Sequence, residues 1–273
     1  MKLIAGIIVY NDDCYLEQAI LACKDNVDEL IIVEGAFQCT LHTNGKRNDK
    51  TERSNDKTLE IINKYVDNKK IFLKQINLQE HKNHYQVALD FAKERKGNYF
   101  MMIDSDEIWT KQGFDLLKSK LKMADKQGIF EYRVRAYCFI SDFNHYYNGE
   151  YPRIFKVTPK AEFLFDNEVA WSDFNKHQDM GKVQGHIQLL SNQPLFYHYS
   201  YVRSKYRWQL KQDCLIEKDG NPINNQYKLE GDKYIIPSDI PIYEFNGQHP
   251  KIMQSHKFYG KTANEIIYGK DDA

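Results

Sequence analysis

The first half of the chain sorts its apolar residues into four short blocks: Lys2 to Tyr10, Glu29 to Glu34, Lys70 to Ile76 and Tyr99 to Ile103. Runs of this length, rich in Ile, Val and aromatic residues and bounded by turn signals such as Gly97-Asn98, predict buried strands. Between them the spacing changes. Tyr15, Leu16, Ala19, Ile20 and Cys23 recur at helical intervals, behind a turn and N-cap expected at Asn11-Asp12-Asp13. Ser54-Asn55-Asp56 is expected to cap a second helix that turns Leu59, Ile61, Ile62 and Tyr65 inward. Gln79 to Arg95 is expected to form a third, carrying Tyr85, Ala88, Leu89 and Ala92. Strand and helix alternate four times, which predicts an α/β fold with a parallel sheet covered by helices on both faces.

After about Met123 the pattern loosens. Strands are expected at Gly128 to Tyr137, Arg153 to Val157, Glu162 to Phe165 and, rich in aromatic residues, Leu195 to Tyr201. Ser204 to Lys218 reads as helix, and Pro222 to Pro250 as a loop region. Gly181 to Leu190 reads as irregular or weakly β. From Lys251 a short helix and a frayed acidic end are expected. No linker, repeat or low-complexity tract interrupts the chain. Residues 1–125 therefore read as one half of a single domain and 126–273 as its irregular α+β second half.

The fourth apolar run ends in acids: Tyr99 to Trp109 reads YFMMIDSDEIW. Carboxylates at the end of a buried strand sit where an open α/β sheet places its ligand crevice. Asp104 and Asp106 are two apart, so on extended backbone they point the same way. Two aligned carboxylates repel unless a cation lies between them. Oxygen ligands of this kind suit Mg²⁺ or Mn²⁺, which take their remaining ligands from substrate phosphates and water. The plainer reading makes Asp106 the cap of a helix beginning near Thr110 and leaves Asp104 as an exposed loop acid.

Composition narrows the class a little. The 273 residues hold 38 basic and 38 acidic side chains, so the formal net charge is zero. A general nucleic-acid binder usually shows a basic excess, and this balance speaks against one. The five cysteines, Cys14, Cys23, Cys39, Cys138 and Cys214, form no CxxC pair and are odd in number, which reads as reduced intracellular thiols. No apolar stretch reaches membrane-spanning length, and the chain opens directly on a strand, so a cytoplasmic protein is expected.

In order along the chain, Ile8-Val9-Tyr10-Asn11, the strand ending in Glu34, Ser54-Asn55-Asp56-Lys57-Thr58 and Asp104-Ser105-Asp106 resemble the strand-tip motifs of family 2 glycosyltransferases with the GT-A fold. Tyr151 to Lys156, Asn167-Glu168 and His198-Tyr199 are similar to elements of the subgroup related to lipopolysaccharide-core glucosyltransferases. There are departures. Glu34-Gly35 replaces the usual acidic pair, Lys57 stands where glycine is usual, and residues 36–53 form a long insert. The resemblance implies a GT-A sheet and a metal-dependent, inverting transfer of a sugar from a nucleotide-sugar donor. The acceptor would be a hydroxyl on a glycan, a lipid-linked sugar or another molecule.

Roles can be assigned on chemistry. A diphosphate donor needs a cation or basic groups beside it. Asp106 is the leading metal ligand, with Asp104 reaching either the metal or the ribose. Glu34, Tyr10 and Asn11, at two further strand tips, would flank the base and ribose; the alternative for Glu34 and Asn11 is capping and turn formation. His198 is either a third ligand, as the resemblance implies, or a structural histidine. Arg203, Lys205 and Arg207 would hold the diphosphate or form a solvated face. The transfer also needs a carboxylate base; Glu168, in the aromatic setting FDNEVAW, is the first candidate and Asp173 the second, each with a surface-loop alternative. His249, in a polar turn, either lines the acceptor site or has no role. Three other functions fit less of the sequence: a carbohydrate-binding protein without turnover, a sugar nucleotidyltransferase, and a glycosyltransferase acting on modified DNA bases.

Overall fold

The computed structural model describes residues 1–37, 52–124, 129–165, 168–171, 187–208, 228–230, 233–235 and 240–269. Strand β1 (Leu3–Val9) lies at the centre of the parallel part of the sheet and is buried along its whole length. β2 (Glu29–Glu34) pairs with one edge of it and β4 (Tyr99–Asp104) with the other, while β3 (Ile71–Gln75) extends the sheet beyond β2; all three pairings are parallel. Side chains alternate across β1. Leu3, Ala5, Ile7 and Val9 share a core with helices α1 (Leu16–Cys23), α2 (Thr58–Tyr65) and α4 (Lys111–Ala124). Ile4 and Ile8 face α3 (His81–Glu94) through Tyr85, Ala88 and Leu89. This two-sided burial is why the strands read as unbroken apolar runs.

The second half builds onto the same sheet. β6 (Glu131–Ile140) and β7 (His145–Lys156) form a long antiparallel pair, and β7 joins the parallel part by pairing antiparallel with β4. β11 (Phe196–Tyr201) runs parallel to β6, and β5 (Glu107–Trp109) closes the row antiparallel to β11. The order is β3-β2-β1-β4-β7-β6-β11-β5, with β10 (Ile187–Leu189) beside β6 and β14 (Tyr243–Glu244) beside β7. Two hairpins stand apart: β8 (Ala161–Phe165) with β9 (Glu168–Trp171), and β12 (Lys228–Glu230) with β13 (Lys233–Ile235). A short 3₁₀ turn (Lys251–Met253) and helix α5 (Ala263–Ile267) end the described chain.

Several local expectations change. The three residues after Asp106 form β5 rather than leading straight into a helix, and its Trp109 stacks on Phe196 with ring centroids 4.9 Å apart. α4 is capped by Thr110, whose hydroxyl accepts the Gly113 N–H at 2.8 Å, so Asp106 is not its cap. α1 starts at Leu16 without a side-chain cap, so Asn11-Asp12-Asp13 does not cap it either. α2 likewise has no N-cap side chain; Asp56 instead accepts the Thr58 N–H two residues on, at 2.9 Å. β7 begins eight residues before the expected Arg153, because the aromatic alternation of its first half continues the pairing with β6. Of the helix expected at 204–218, residues 205–208 are helical and the rest lies outside the described residues.

Candidate functional site

The site lies at the carboxyl ends of β1, β2 and β4, which the register brings level. Val9 stands beside Glu34, and Ile8 beside Asp104. Just beyond β4 the chain turns sharply into β5, so that Asp104, Asp106 and Glu107 stay together. From the other half, β11 brings His198. An irregularity between His198 and Tyr201 and a tight turn, with Val202 N–H donating to Tyr199 O at 3.0 Å, then bring Arg203 to the same place.

Asp104, Asp106 and His198 each offer a ligand atom, all within 4.8 Å of one another. His198 Nε2 is 3.1 Å from Asp106 Oδ1. The other Asp106 oxygen accepts from Arg203 at 2.7 Å, and Arg203 also donates to both oxygens of Asp12, at 2.7 and 3.1 Å. On the opposite side Arg153 bridges Asp104, at 2.9 Å, and Glu107, at 2.6 Å. The Tyr85 hydroxyl donates to the remaining Asp104 oxygen. Arg153, Arg203, Asp106, Glu107 and His198 are all buried.

Burial and charge shift these groups together. Burial alone would raise the Asp12 and Asp104 carboxyls, but the guanidinium beside each, Arg203 and Arg153, holds it below the usual carboxylate range. Glu107 is more completely enclosed, and burial wins there, pushing it up despite Arg153. Burial would lower His198, yet the Asp106 carboxylate raises it to about 10. Among the described residues the cluster is rich in acid: Asp12, Asp104, Asp106 and Glu107 face the guanidiniums of Arg153 and Arg203. Buried charge needs compensation, and the imidazolium of His198 or a cation can supply it. Two carboxylates and an imidazole that converge in this way fit a divalent ion of the Mn²⁺ type.

Arg153 reaches the site through a β-bulge. Tyr132 pairs with Ile154 and Arg133 with Pro152, which leaves Arg153 as the extra residue of β7. A bulge re-aims a side chain, and Pro152 in the strand is its sequence signal. Sequence patterns give Asp12, Asp13 and Tyr85 no part in the site, Glu107 none beyond being one of the acids that end YFMMIDSDEIW, and Arg153 none beyond its place in Tyr151 to Lys156. The Pro152 signal points to the last; nothing local links Asp12 to Arg203 or Asp13 to Arg207, which lie 191 and 194 positions apart.

The other candidates divide. Glu34 is fully buried. One of its oxygens accepts the Ser54 N–H at 2.7 Å and the other the Gln75 side-chain amide at 3.1 Å, so it braces the start of the segment before α2. Asn11 has a left-handed backbone (φ 46°), and its side chain accepts the Asn55 N–H at 2.8 Å. Tyr10 is buried edge-on against Phe37, 6.3 Å between centroids. Arg203 and Arg207 do not form a solvated face: Arg207 contacts Asp13, Asp56 and the Asn11 carbonyl. Lys205 is exposed. His249 is buried, with Nδ1 2.8 Å from the Tyr199 hydroxyl and Nε2 2.8 Å from the Phe143 carbonyl, a structural setting. Glu168 opens β9 opposite Phe165. Its hairpin is held near the site, since Phe163 of β8 packs on Tyr85 at 5.5 Å. Asp173 lies outside the described residues.

Cys14, Cys23 and Cys138 are free and buried; Cys39 and Cys214 lie outside the described residues. Among the described residues no helix is long and apolar enough to cross a membrane.

No family model matches the chain, and no curated protein matches it in sequence. Solved structures do. The chain is similar to S. aureus TarS 1–349 at 16% identity, over 80% of its own length and 65% of that chain, with a TM-score of 0.43. It is similar to the same protein in complex with UDP-GlcNAc at 16% identity, over 80% and 66% of the two chains, with a TM-score of 0.44. For the complex with UDP the values are 16% identity, 80% and 65%, and 0.41. The chain thus spans just under two thirds of the length of each. These likenesses are distant, and the geometry of the site is the firmer guide to chemistry.

Proposed function

We propose that the protein is a metal-dependent glycosyltransferase that moves a sugar from a nucleotide-sugar donor to an acceptor hydroxyl. The observation that carries this is the convergence of Asp104, Asp106 and His198 at the aligned tips of three parallel strands. That is where an open α/β sheet binds its ligand, and it is the arrangement that the GT-A resemblance implies. The TarS structures hold UDP-GlcNAc and UDP, and a nucleoside diphosphate sugar is the donor class that we assign to this chain.

Asp106, His198 and Asp104 would hold Mn²⁺ or Mg²⁺, which supplies Lewis-acid stabilisation of charge on the departing diphosphate. The protein's own residues prepare the rest. Arg153 and Tyr85 fix Asp104, and Arg203 fixes Asp106 against the loop after β1. Glu34 and Asn11 hold the segment 54–56 against that same loop and shape the floor under the nucleoside. Tyr10 stands at the tip of β1, on the base side. Glu168 is proposed as the base that takes the acceptor proton, with Asp173 as the alternative, and inversion at the anomeric carbon results from direct displacement. The acceptor is a hydroxyl-bearing molecule such as a glycan or lipid-linked sugar.

A thermal-shift panel of nucleoside diphosphates with Mn²⁺ tests the reading. A ligand present at about 100 times its Kd stabilises the folded state by about 2.7 kcal/mol, so one base should stand out, and only with metal. Donor hydrolysis with Mn²⁺ then separates an enzyme from a binding protein. No shift with any nucleotide would overturn the proposal.

A further inference from the structure

An imidazole can present either nitrogen to a metal, and only Nε2 of His198 faces Asp106. The other nitrogen, Nδ1, lies 4.0 Å from the sulfur of Cys138. Cys138 and His198 are direct partners in the parallel pairing of β6 and β11, so their side chains leave the sheet on the same face. Cys138 is buried, and its sulfur is also 3.2 Å from the Tyr151 hydroxyl. The Tyr151 ring stands edge-on to the His198 ring, 5.5 Å between centroids, and carries the Arg153 guanidinium on its face at 4.9 Å. Space for this arrangement comes from Gly149. A Cβ there would fall 2.6 Å from Cys138 Sγ and 2.5 Å from the Tyr151 ring.

We propose that Cys138 is a positioning residue for the metal site: its sulfur accepts the Nδ1–H of His198 and so turns the Nε2 lone pair towards the ion. This rests on the metal-dependent reading above. Histidines that bind metals almost always donate their other N–H to a neighbour, and that neighbour fixes tautomer and ring angle. The usual partner is a carboxylate or carbonyl; here it is a thiol, a weaker acceptor. Cys138 lies on the Nδ1 side of His198, while Nε2 faces Asp106, and its burial removes it from thiol chemistry with solutes. A thiol adds no charge to a cluster already rich in acid. It therefore orients His198 without strengthening the field against which Arg153 and Arg203 are set.

The test uses the full chain and Mn²⁺ alone, read by calorimetry or by electron paramagnetic resonance. Cys138→Val and Cys138→Ala remove the acceptor in a larger and a smaller shape. Both should weaken Mn²⁺ binding about 10- to 100-fold, the range for an outer-shell partner of a metal ligand. Cys138→Ser restores an acceptor and should recover most of the affinity. Mg²⁺, which leans on carboxylate and water, should lose less than Mn²⁺ in the same variants; a merely structural role would not separate the two ions. In a His198→Ala background, Cys138→Val should have no further effect. If wild type binds Mn²⁺ and both apolar variants bind it equally well, Cys138 has no positioning role, while the metal site stands. If wild type itself binds no Mn²⁺, the metal reading falls and takes this proposal with it.

Discussion

Replacing Asp106 by alanine removes more than a proposed metal ligand. Its two oxygens face Arg203 at 2.7 Å and His198 at 3.1 Å, and the residue is 3% exposed. Breaking a buried pair by deleting one partner costs about 3–5 kcal/mol, so Asp106→Ala should lower the melting temperature as well as abolish Mn²⁺ binding and transfer. Asp106→Asn keeps the shape and should lose metal with a smaller loss of stability. Transfer that persists in both variants, or after exhaustive chelation, would take the metal out of the mechanism. Glu34 offers a second case. Its deletion leaves the Ser54 N–H without its buried acceptor, so Glu34→Ala should destabilise the fold by about 1–3 kcal/mol. Nucleotide affinity should fall with it, because the loop it braces carries Asn55 to Asn11. An unchanged melting curve would return Glu34 to a direct nucleoside contact.

At the scale of elements, two devices hold the strand tips together. One is the bulge in β7. Arg153 there joins β4 to β5 through Asp104 and Glu107, and a shorter or single-pronged cation cannot span both. Arg153→Lys should therefore lose stability and weaken Mn²⁺ binding together, as measured by melting and calorimetry; wild-type values for both would dismiss the bridge. The other is the C-terminal segment. His256 Nε2 lies 2.9 Å from the Cys14 carbonyl, and its ring stacks on Tyr15 at 4.4 Å. The segment is thereby tied to the start of α1, just after Asp12 and Asp13. Burial lowers His256 to about 4. Burial has the same effect on His84, also to about 4. The unfolded chain, with histidines near 6.5, binds these protons more readily, so stability is full above about pH 6.5 and is lost as pH falls towards about 4. Each histidine contributes on the order of 3 kcal/mol to that loss. Melting temperatures measured from about pH 7.5 down to about pH 5 should fall, and less steeply in His256→Gln; equal slopes would show that His256 does not titrate with unfolding.

At the scale of the whole molecule, the division of labour is between the halves. The proposed metal ligands come from both, Asp104 and Asp106 from the first and His198 from the second. The proposed base comes from the β8–β9 hairpin, which packs on α3. A base contributes typically about 10²–10⁴-fold to rate. Glu168→Gln should therefore lower kcat by that factor and leave donor affinity unchanged, with Asp173→Asn near wild type. The reverse result would move the role to Asp173. A matching fall in donor affinity would make Glu168 a binding residue.

The alternation of apolar runs and helical spacing was enough to determine the parallel core, because a strand buried on both faces needs no partner to be recognised as such. The acids at the end of YFMMI were legible for a related reason: a buried run that stops in carboxylates marks the rim of the sheet. The same sequence misplaced the caps. Asn, Asp and Ser serve equally as caps, turns and ion-pair partners, and only position decides among them. Asp12 and Asp13 look like local punctuation until Arg203 and Arg207 are folded against them. Glu107 to Trp109 is too short to read as a strand without β11 beside it. Arg153 carried a faint signal in Pro152, but the register of β6 and β7 had to exist before the extra residue could be seen. Cys138 and His198 are 60 residues apart and share a face only because two parallel strands are in register. Local chemistry determined which side chains were available; the strand order alone decided which of them meet.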